Sequence, residues 1–514
     1  MGIKPSVGGR AGSILKNSSL GFLTNVLPSV LRLFSRYVFL MYFGDTLLGV
    51  NSLFTDVVAI FSFAEIGIYA AISFFLYKPI AEGDTDTIQS LLALFRKLNR
   101  YIMLAVTVVG LGFIPFLGYI KTDEPIPGLL IYYLIFLAQN LLSYLYSYRM
   151  AYLTAAQKAY RLAPINLTIA FLTEAFQIIV TITTRNFVAY LLTYAAMLAA
   201  RILLSNRLIV KNCPETCFRK TKPLDQEIVR QFVKKTKSLF ILKVMELGIS
   251  QTDSVIVSTM VDVTQWGYVS NYVAIKKMTA LVMSALSFGL VPSLGNLNVV
   301  ESKEKQEDSF RLYSFCNSLL CLNIFTCLVV LVPPFIELVF GQRRVLDDMT
   351  CFLLYLNVLY SGLLEPVAVL RDARGLYEKD KWINVACFVT NMIMSILFVR
   401  LLGLPGVFLG TLCCTTVAYY RMYMVVRMTF GREERYYFVQ AAKTLLLGLV
   451  AYAALHWLIY PAIWQGMQNV LGLILCGAAT VVATNLLFWA AYGRDPYFSR
   501  TLQLMRRFLP AKKA

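Results

Sequence analysis

The chain is poor in acids, in histidine and in charge of any kind. It has 29 Asp and Glu against 48 Lys and Arg, and charged residues make up 15% of its 514 positions. With 58% hydrophobic residues and a mean hydropathy of +0.64, its apolar surface exceeds what a water-facing globule can cover, which excludes an ordinary soluble protein. The single histidine, His456, lies close to the C-terminus, leaving no base for a histidine-dependent membrane acyltransferase. Ten cysteines are scattered. Cys316, Cys321, Cys327, Cys351, Cys387, Cys413, Cys414 and Cys476 fall in or beside apolar stretches, where a thiol acts as a small apolar filler, so no disulfide framework is expected. Cys213 and Cys217 have neither a second pair nor a histidine to complete a metal site.

What is present is a series of fourteen apolar stretches, each near the length needed to cross a hydrocarbon core. The first four cover 20–43, 47–77, 101–120 and 128–148, and the last covers 468–491. Of the 48 cations, 37 sit in the two tails and every second connection. The intervening connections hold five: Lys121, Arg185, Arg343, Arg344 and Arg400. Cationic loops resist translocation and favour the anionic inner leaflet, so both termini are expected in the cytoplasm. The net charge of +19 is thus spread over short loops, which argues against a nucleic-acid-binding face. The first stretch is too long for a cleaved signal core and reads as a retained anchor. Segments 79–99 and 210–237 read as amphipathic helices on the headgroups, with Ile88, Leu91, Leu92 and Leu94 set among charges.

An internal repeat is legible. Gly49 in LLGVNSLF corresponds to Gly267 in QWGYVSNY, and Arg149 in RMAYLTAAQKAY corresponds to Arg371 in RDARGLYEKDKW. An even number of stretches separates each pair, so the halves run parallel. The expected fold is an all-α polytopic membrane protein of about fourteen transmembrane helices. Two parallel, pseudo-symmetric six-helix lobes (1–209 and 238–430) are joined by a cytoplasmic linker (210–237) and followed by two extra helices with a basic tail (431–514).

The run RYVFLMYFGDTLLGVNSLFTDVVAIFSFAEIGIYAAISFFLYKPIAEGD (36–84) resembles the first helical hairpin of bacterial polysaccharide-transport proteins, the Wzx-like flippases. TAAQKAYR (154–161), TDSVIVSTMVDVTQWGYVSNY (252–272) and EPVAVLRDARGLYEKDKW (365–382) are similar too, so the resemblance covers nearly the whole chain. It implies the MATE/MOP-like fold of the multidrug/oligosaccharidyl-lipid/polysaccharide superfamily, in which two lobes face a central cavity. It also implies a flippase that moves undecaprenyl-pyrophosphate-linked oligosaccharide between leaflets of the bacterial cytoplasmic (inner) membrane. The implied partners are that glycan lipid, membrane lipids, and the polymerase and glycosyltransferases of polysaccharide assembly; a monomer is expected. The pair Lys276-Lys277 departs from the family pattern and bears on glycan identity.

Six cations lie inside the stretches. Arg201 and Lys243 sit near the inner surface and can snorkel, whereas Arg32, Arg36, Lys276 and Lys277 call for a partner or a task, because a mid-bilayer cation costs roughly 2.5–3.5 kcal/mol. These four are the expected ligands of the lipid pyrophosphate, Arg by bidentate donors and Lys as a point charge. The competing reading is that they neutralise buried acids. Pro28 is expected to break the helix before Arg32. The intramembrane acids are Asp56, Glu65, Glu174, Glu246 and Asp253; Glu174 and Asp253 are the candidates for proton or sodium coupling, and Lys243 is expected to pair with Glu246. No cofactor or metal is expected. An enzyme of glycan assembly is disfavoured, since paired acids in an early outer loop and large arginine-bearing outer loops are both missing. The closer rivals are a lipid II-type flippase and a cation-coupled drug antiporter of the same fold.

Overall fold

A computed structural model describes residues 7–156, 158–213, 216, 226–300, 302–374, 376–431 and 434–508. The protein is a multi-pass, all-helical membrane protein, with no strand among the described residues. Backbone polar groups have no water to bind inside a bilayer, so a chain this apolar must satisfy them within helices. The fourteen apolar stretches are largely helical. Among the described residues eight helices are long and apolar enough to cross a membrane by themselves, and a pair bent by 44° makes a ninth if it is one span.

The chain forms two compact units, Met1–Gly267 and Tyr268–Ala514. The first holds α1 (Val7–Phe61), α2 (Phe63–Glu82), α3 (Thr85–Gly112), α4 (Leu129–Ser143), α5 (Ser147–Ala155), α6 (Ala163–Thr184), α7 (Phe187–Asn212), α8 (Gln226–Ile256) and the first turn of α9 (Val263–Val300). The second holds the rest of α9, then α10 (Lys303–Phe340), α11 (Asp348–Gly362), α12 (Glu365–Arg374), α13 (Tyr377–Leu402), α14 (Leu404–Ala418), α15 (Tyr420–Phe430), α16 (Glu434–Ala454), α17 (Tyr460–Ile463), α18 (Val470–Tyr492) and α19 (Pro496–Phe508).

The repeat is visible in the order of breaks. α1 is two helices joined at Gly44, whose φ of 78° is open to glycine at little cost. The corresponding break after α8 is a π turn at Val257–Val261 followed by Asp262 in extended conformation. α4, with 15 residues, bends into the 9-residue α5, just as α11, with 15, gives way to the 10-residue α12. Within the first unit the two breaks meet reciprocally. Thr46 Oγ1 lies 3.0 Å from Thr264 Oγ1. A Cβ on Gly49 would stand 1.9 Å from the carbonyl oxygen of Val263, and one on Gly267 would stand 2.3 Å from that of Asp45. Each partner is 218 residues from its counterpart, the signature of a local two-fold. Lys121 fastens this crossing: its N–H donates to Ser258 O, its carbonyl accepts from Val263 N–H, and its Nζ donates to Met260 O.

Two expectations are corrected by packing. Residues 85–99 do not lie on headgroups: they open α3, and Ile88, Leu91 and Leu92 are buried in a core with Ile72, Leu76, Tyr152 and Phe232. An apolar stripe gains more from that core than from a lipid interface because it is sealed on every side. Within 210–237 the described residues do not belong to a helix of their own: 210–212 end α7 and 226–237 begin α8.

In the second unit α10 is the central strut, packed by α11, α16, α18 and α19. The two extra helices are tied to it by polar contacts: Thr484 to Thr326 at 3.0 Å, Asn485 to Asn323 at 2.9 Å and Gln440 to Ser318 at 3.1 Å. Their other faces expose Leu446, Trp457, Ile474 and Trp489, the apolar surface a lipid-facing helix requires.

Candidate functional site

α1 runs through Pro28 without a break, so the kink expected there is absent and falls at Gly44 instead. One proline costs a hydrogen bond, and the neighbouring turns carry the helix on. Arg32 and Arg36 follow, one turn apart on the same face. On α6, Thr173, Glu174, Gln177 and Thr181 recur at helical spacing and are all buried, a polar stripe in which Glu174 is the one charged residue of the helix. Arg32 Nε donates to Glu174 Oε1 at 3.3 Å. The carboxylate side chain is 11% exposed and the arginine side chain 69% exposed, so a buried acid is met by a cation that stays open on its other side. Among the described residues one of the five guanidinium donors is engaged, leaving the Nη hydrogens for a second anion.

Tyr190 on α7 joins the group, within electrostatic reach of Glu174, Arg36, Tyr194 and Arg32. Its ring is held by edge contacts to Phe39 and Phe43 and by stacking on Phe187, with centroids 5.1, 6.0 and 5.9 Å away. Aromatic packing of this kind fixes the helices around the charges. Arg32, Arg36 and Glu174 are thus brought together by chain segments 142 residues apart.

The other expected residues are placed as follows. Asp56 is buried in the second half of α1, 7% exposed and engaged with its neighbours. Glu246 is exposed and Asp253 half-buried on α8, and both are engaged. Lys276 is half-buried and engaged, and Lys277 is exposed, both on the part of α9 that belongs to the second unit. The side chains of Glu65 and Lys243 lie outside the described residues, so the expected Lys243–Glu246 pair does too, and Cys217 is likewise outside. Among the described residues no group of acids, cysteines or histidine is arranged to hold a metal, and the cysteines are free thiols.

Sequence reasoning missed the strongest ionic cluster. Asp380 is fully buried between two arginines, with Arg371 Nη1 at 2.5 Å from Oδ2 and Arg421 Nε at 2.7 Å from Oδ1. Arg421 Nη2 also donates to Asn384 Oδ1 at 2.6 Å, and Arg371 pairs with Asp372 at 2.7 Å. The repeat marks Arg371, but nothing in the sequence singles out Asp380 within the charge run YEKDKW. Also unseen were Arg500, which forks onto both oxygens of Asp308 at 2.7 and 2.8 Å, and Trp464 Nε1, which donates to Glu337 at 3.0 Å.

No protein-family model and no curated protein matches the sequence. Solved structures do. The chain superimposes on the lipid II flippase MurJ in an inward closed conformation with a TM-score of 0.65 at 16% identity, over 91% of this chain and 98% of that one. An inward-facing multidrug resistance MATE transporter of the MOP superfamily gives 0.61 at 15% identity, over 83% and 95%. The MATE transporter VcmN of Vibrio cholerae gives 0.56 at 12%, over 83% and 100%. The chain shares the fold of these transporters. Within that fold, the sequence identities are low enough that likeness carries architecture and not chemistry.

Proposed function

We propose that this protein is a flippase that carries a phosphorylated, polyprenyl-linked glycan across the bacterial cytoplasmic membrane, with both termini in the cytoplasm. The observation that carries the reading is Arg32: a cation within a membrane span, neutralised on one side by buried Glu174 and open on the other. In this reading Arg32 and Arg36 in the first lobe (1–209), and Lys276 and Lys277 in the second (238–430), are each ligands for the pyrophosphate, while the prenyl tail stays in lipid. Fixed cations lower the barrier that two phosphate charges meet in an apolar slab. Glu174 and Asp253 are the acids proposed for proton or sodium coupling; Glu174 would change partner from Arg32 to an ion when substrate takes the guanidinium.

A lipid-linked cargo is preferred to a drug cation for a second reason. The 91% of the chain matched to MurJ exceeds what residues 1–430 of 514 can supply, so the match reaches into the last two helices, whereas the 83% matched to each of the two MATE transporters named above does not require them. A lipid II-type cargo is therefore the alternative to an undecaprenyl-pyrophosphate oligosaccharide, and no catalytic step is proposed.

The test is reconstitution in liposomes with fluorescent undecaprenyl-pyrophosphate oligosaccharide and, separately, labelled lipid II. The native protein is expected to move one of the two. Arg32→Gln and Lys276→Gln are each expected to slow movement by at least about tenfold, the loss of one charge-assisted phosphate contact. Movement at the native rate by both variants would remove the capture step.

A further inference from the structure

A second basic cluster lies away from Arg32, midway along α3. Arg96, Asn99, Arg100 and Met103 recur at helical spacing and form one wall of a cleft of about 200 Å³. The other wall is the bend between α4 and α5, where Tyr144 and Tyr148 are buried and Leu145 is exposed. Pockets that bury drug-sized ligands run to roughly 300–1,000 Å³, so this one suits a headgroup rather than a whole molecule.

The chemistry changes across its mouth. Arg96 and Arg100 are exposed and one turn apart, and Arg96 is also engaged by a neighbour. On the floor Asn99 is 3% exposed; its Nδ2 donates to Ser147 Oγ at 2.5 Å, and its Oδ1 has no hydrogen-bond partner among the described residues. Directly beyond, α3 carries no charge from 101 to its end, and Tyr101, Leu104 and Val108 stand 60%, 63% and 64% exposed, continuous with Met103 and Leu145 at the lip. Guanidinium groups above and an apolar rail below fit an amphiphile: phosphate oxygens on the arginines, acyl chains along α3. Inorganic phosphate would use the arginines and leave the rail bare.

We propose that the cleft between α3 and the α4–α5 bend binds the phosphorylated headgroup of an anionic membrane lipid in the leaflet that adjoins the basic loops. The assignment requires neither transport by Arg32 nor a coupling ion, so it stands or falls separately from the flippase reading.

The experiment is native mass spectrometry of the full-length protein in detergent, titrated with phosphatidylglycerol and with phosphatidylcholine. The native protein is expected to hold one phosphatidylglycerol about tenfold more tightly than phosphatidylcholine, and Arg96→Gln with Arg100→Gln to abolish the difference. Arg100→Lys, which keeps charge but loses the fork, is expected to retain part of it. Leu145→Asn is expected to weaken phosphatidylglycerol binding by breaking the rail. A thermal melt at the native temperature shows each variant folded. Undiminished selectivity in the double glutamine variant overturns the site, and complete displacement of the lipid by millimolar inorganic phosphate overturns the lipid assignment.

Discussion

Arg32–Glu174 in the first unit and Arg371–Asp380–Arg421 in the second are both ion clusters on helices, yet they are built to opposite ends. Asp380 is fully buried and both of its oxygens are taken by arginines that are themselves 13% exposed; Asn384 and Asp372 use up further donors. Arg32 gives one donor to one oxygen and leaves its side chain 69% exposed. A saturated cluster can only hold helices together, because any newcomer must first displace a short charge-assisted bond. An unsaturated one can accept a ligand without losing what it has.

The contrast fixes an order of effects. Asp380→Asn strands two nearly buried arginines and is expected to cost about 3–5 kcal/mol, read as a large loss of thermal stability or of folded yield in detergent, with Asn384→Ala milder. An Asp380→Asn variant as stable as the native protein would remove the claim that saturation is structural. Arg32→Gln is expected to cost less stability, about 1–2 kcal/mol, since its partner alone is buried, while removing most flipping; a variant stable and fully active would erase the distinction between the two clusters. Glu174→Gln sharpens it further. With the acid neutralised, Arg32 is freed, so binding of an anionic headgroup is expected to strengthen severalfold even if turnover falls, measured by equilibrium binding of the labelled lipid. The smallest effect is expected at Asp308→Asn, whose fork with Arg500 is nearly half exposed on both sides: under about 1 kcal/mol, seen as faster hydrogen exchange in α19 and little else.

The class of the protein was legible because hydropathy and loop charge are local properties that add along a chain. The fourteen stretches follow from them, and the repeat that pairs Gly49 with Gly267 is legible in the matching motifs, with the close backbone approach at both glycines as its physical reason. The packing of residues 85–99 was not legible, since an amphipathic stripe is the same in sequence whether it meets lipid or protein. Nor was the position of the break in α1: Pro28 was the stronger local signal, and the surrounding turns overrode it in favour of Gly44.

By itself the sequence determined that the chain crosses a membrane many times, that it is duplicated, and which charges lie within its spans. Only the tertiary structure decided which of those charges are neutralised. Glu174 is 142 residues from Arg32 and Asp380 is 41 from Arg421, and no local pattern records such pairings. The reason is physical: transfer free energy belongs to each residue where it stands, whereas a buried charge is compensated only by whatever the fold brings within a few ångströms of it.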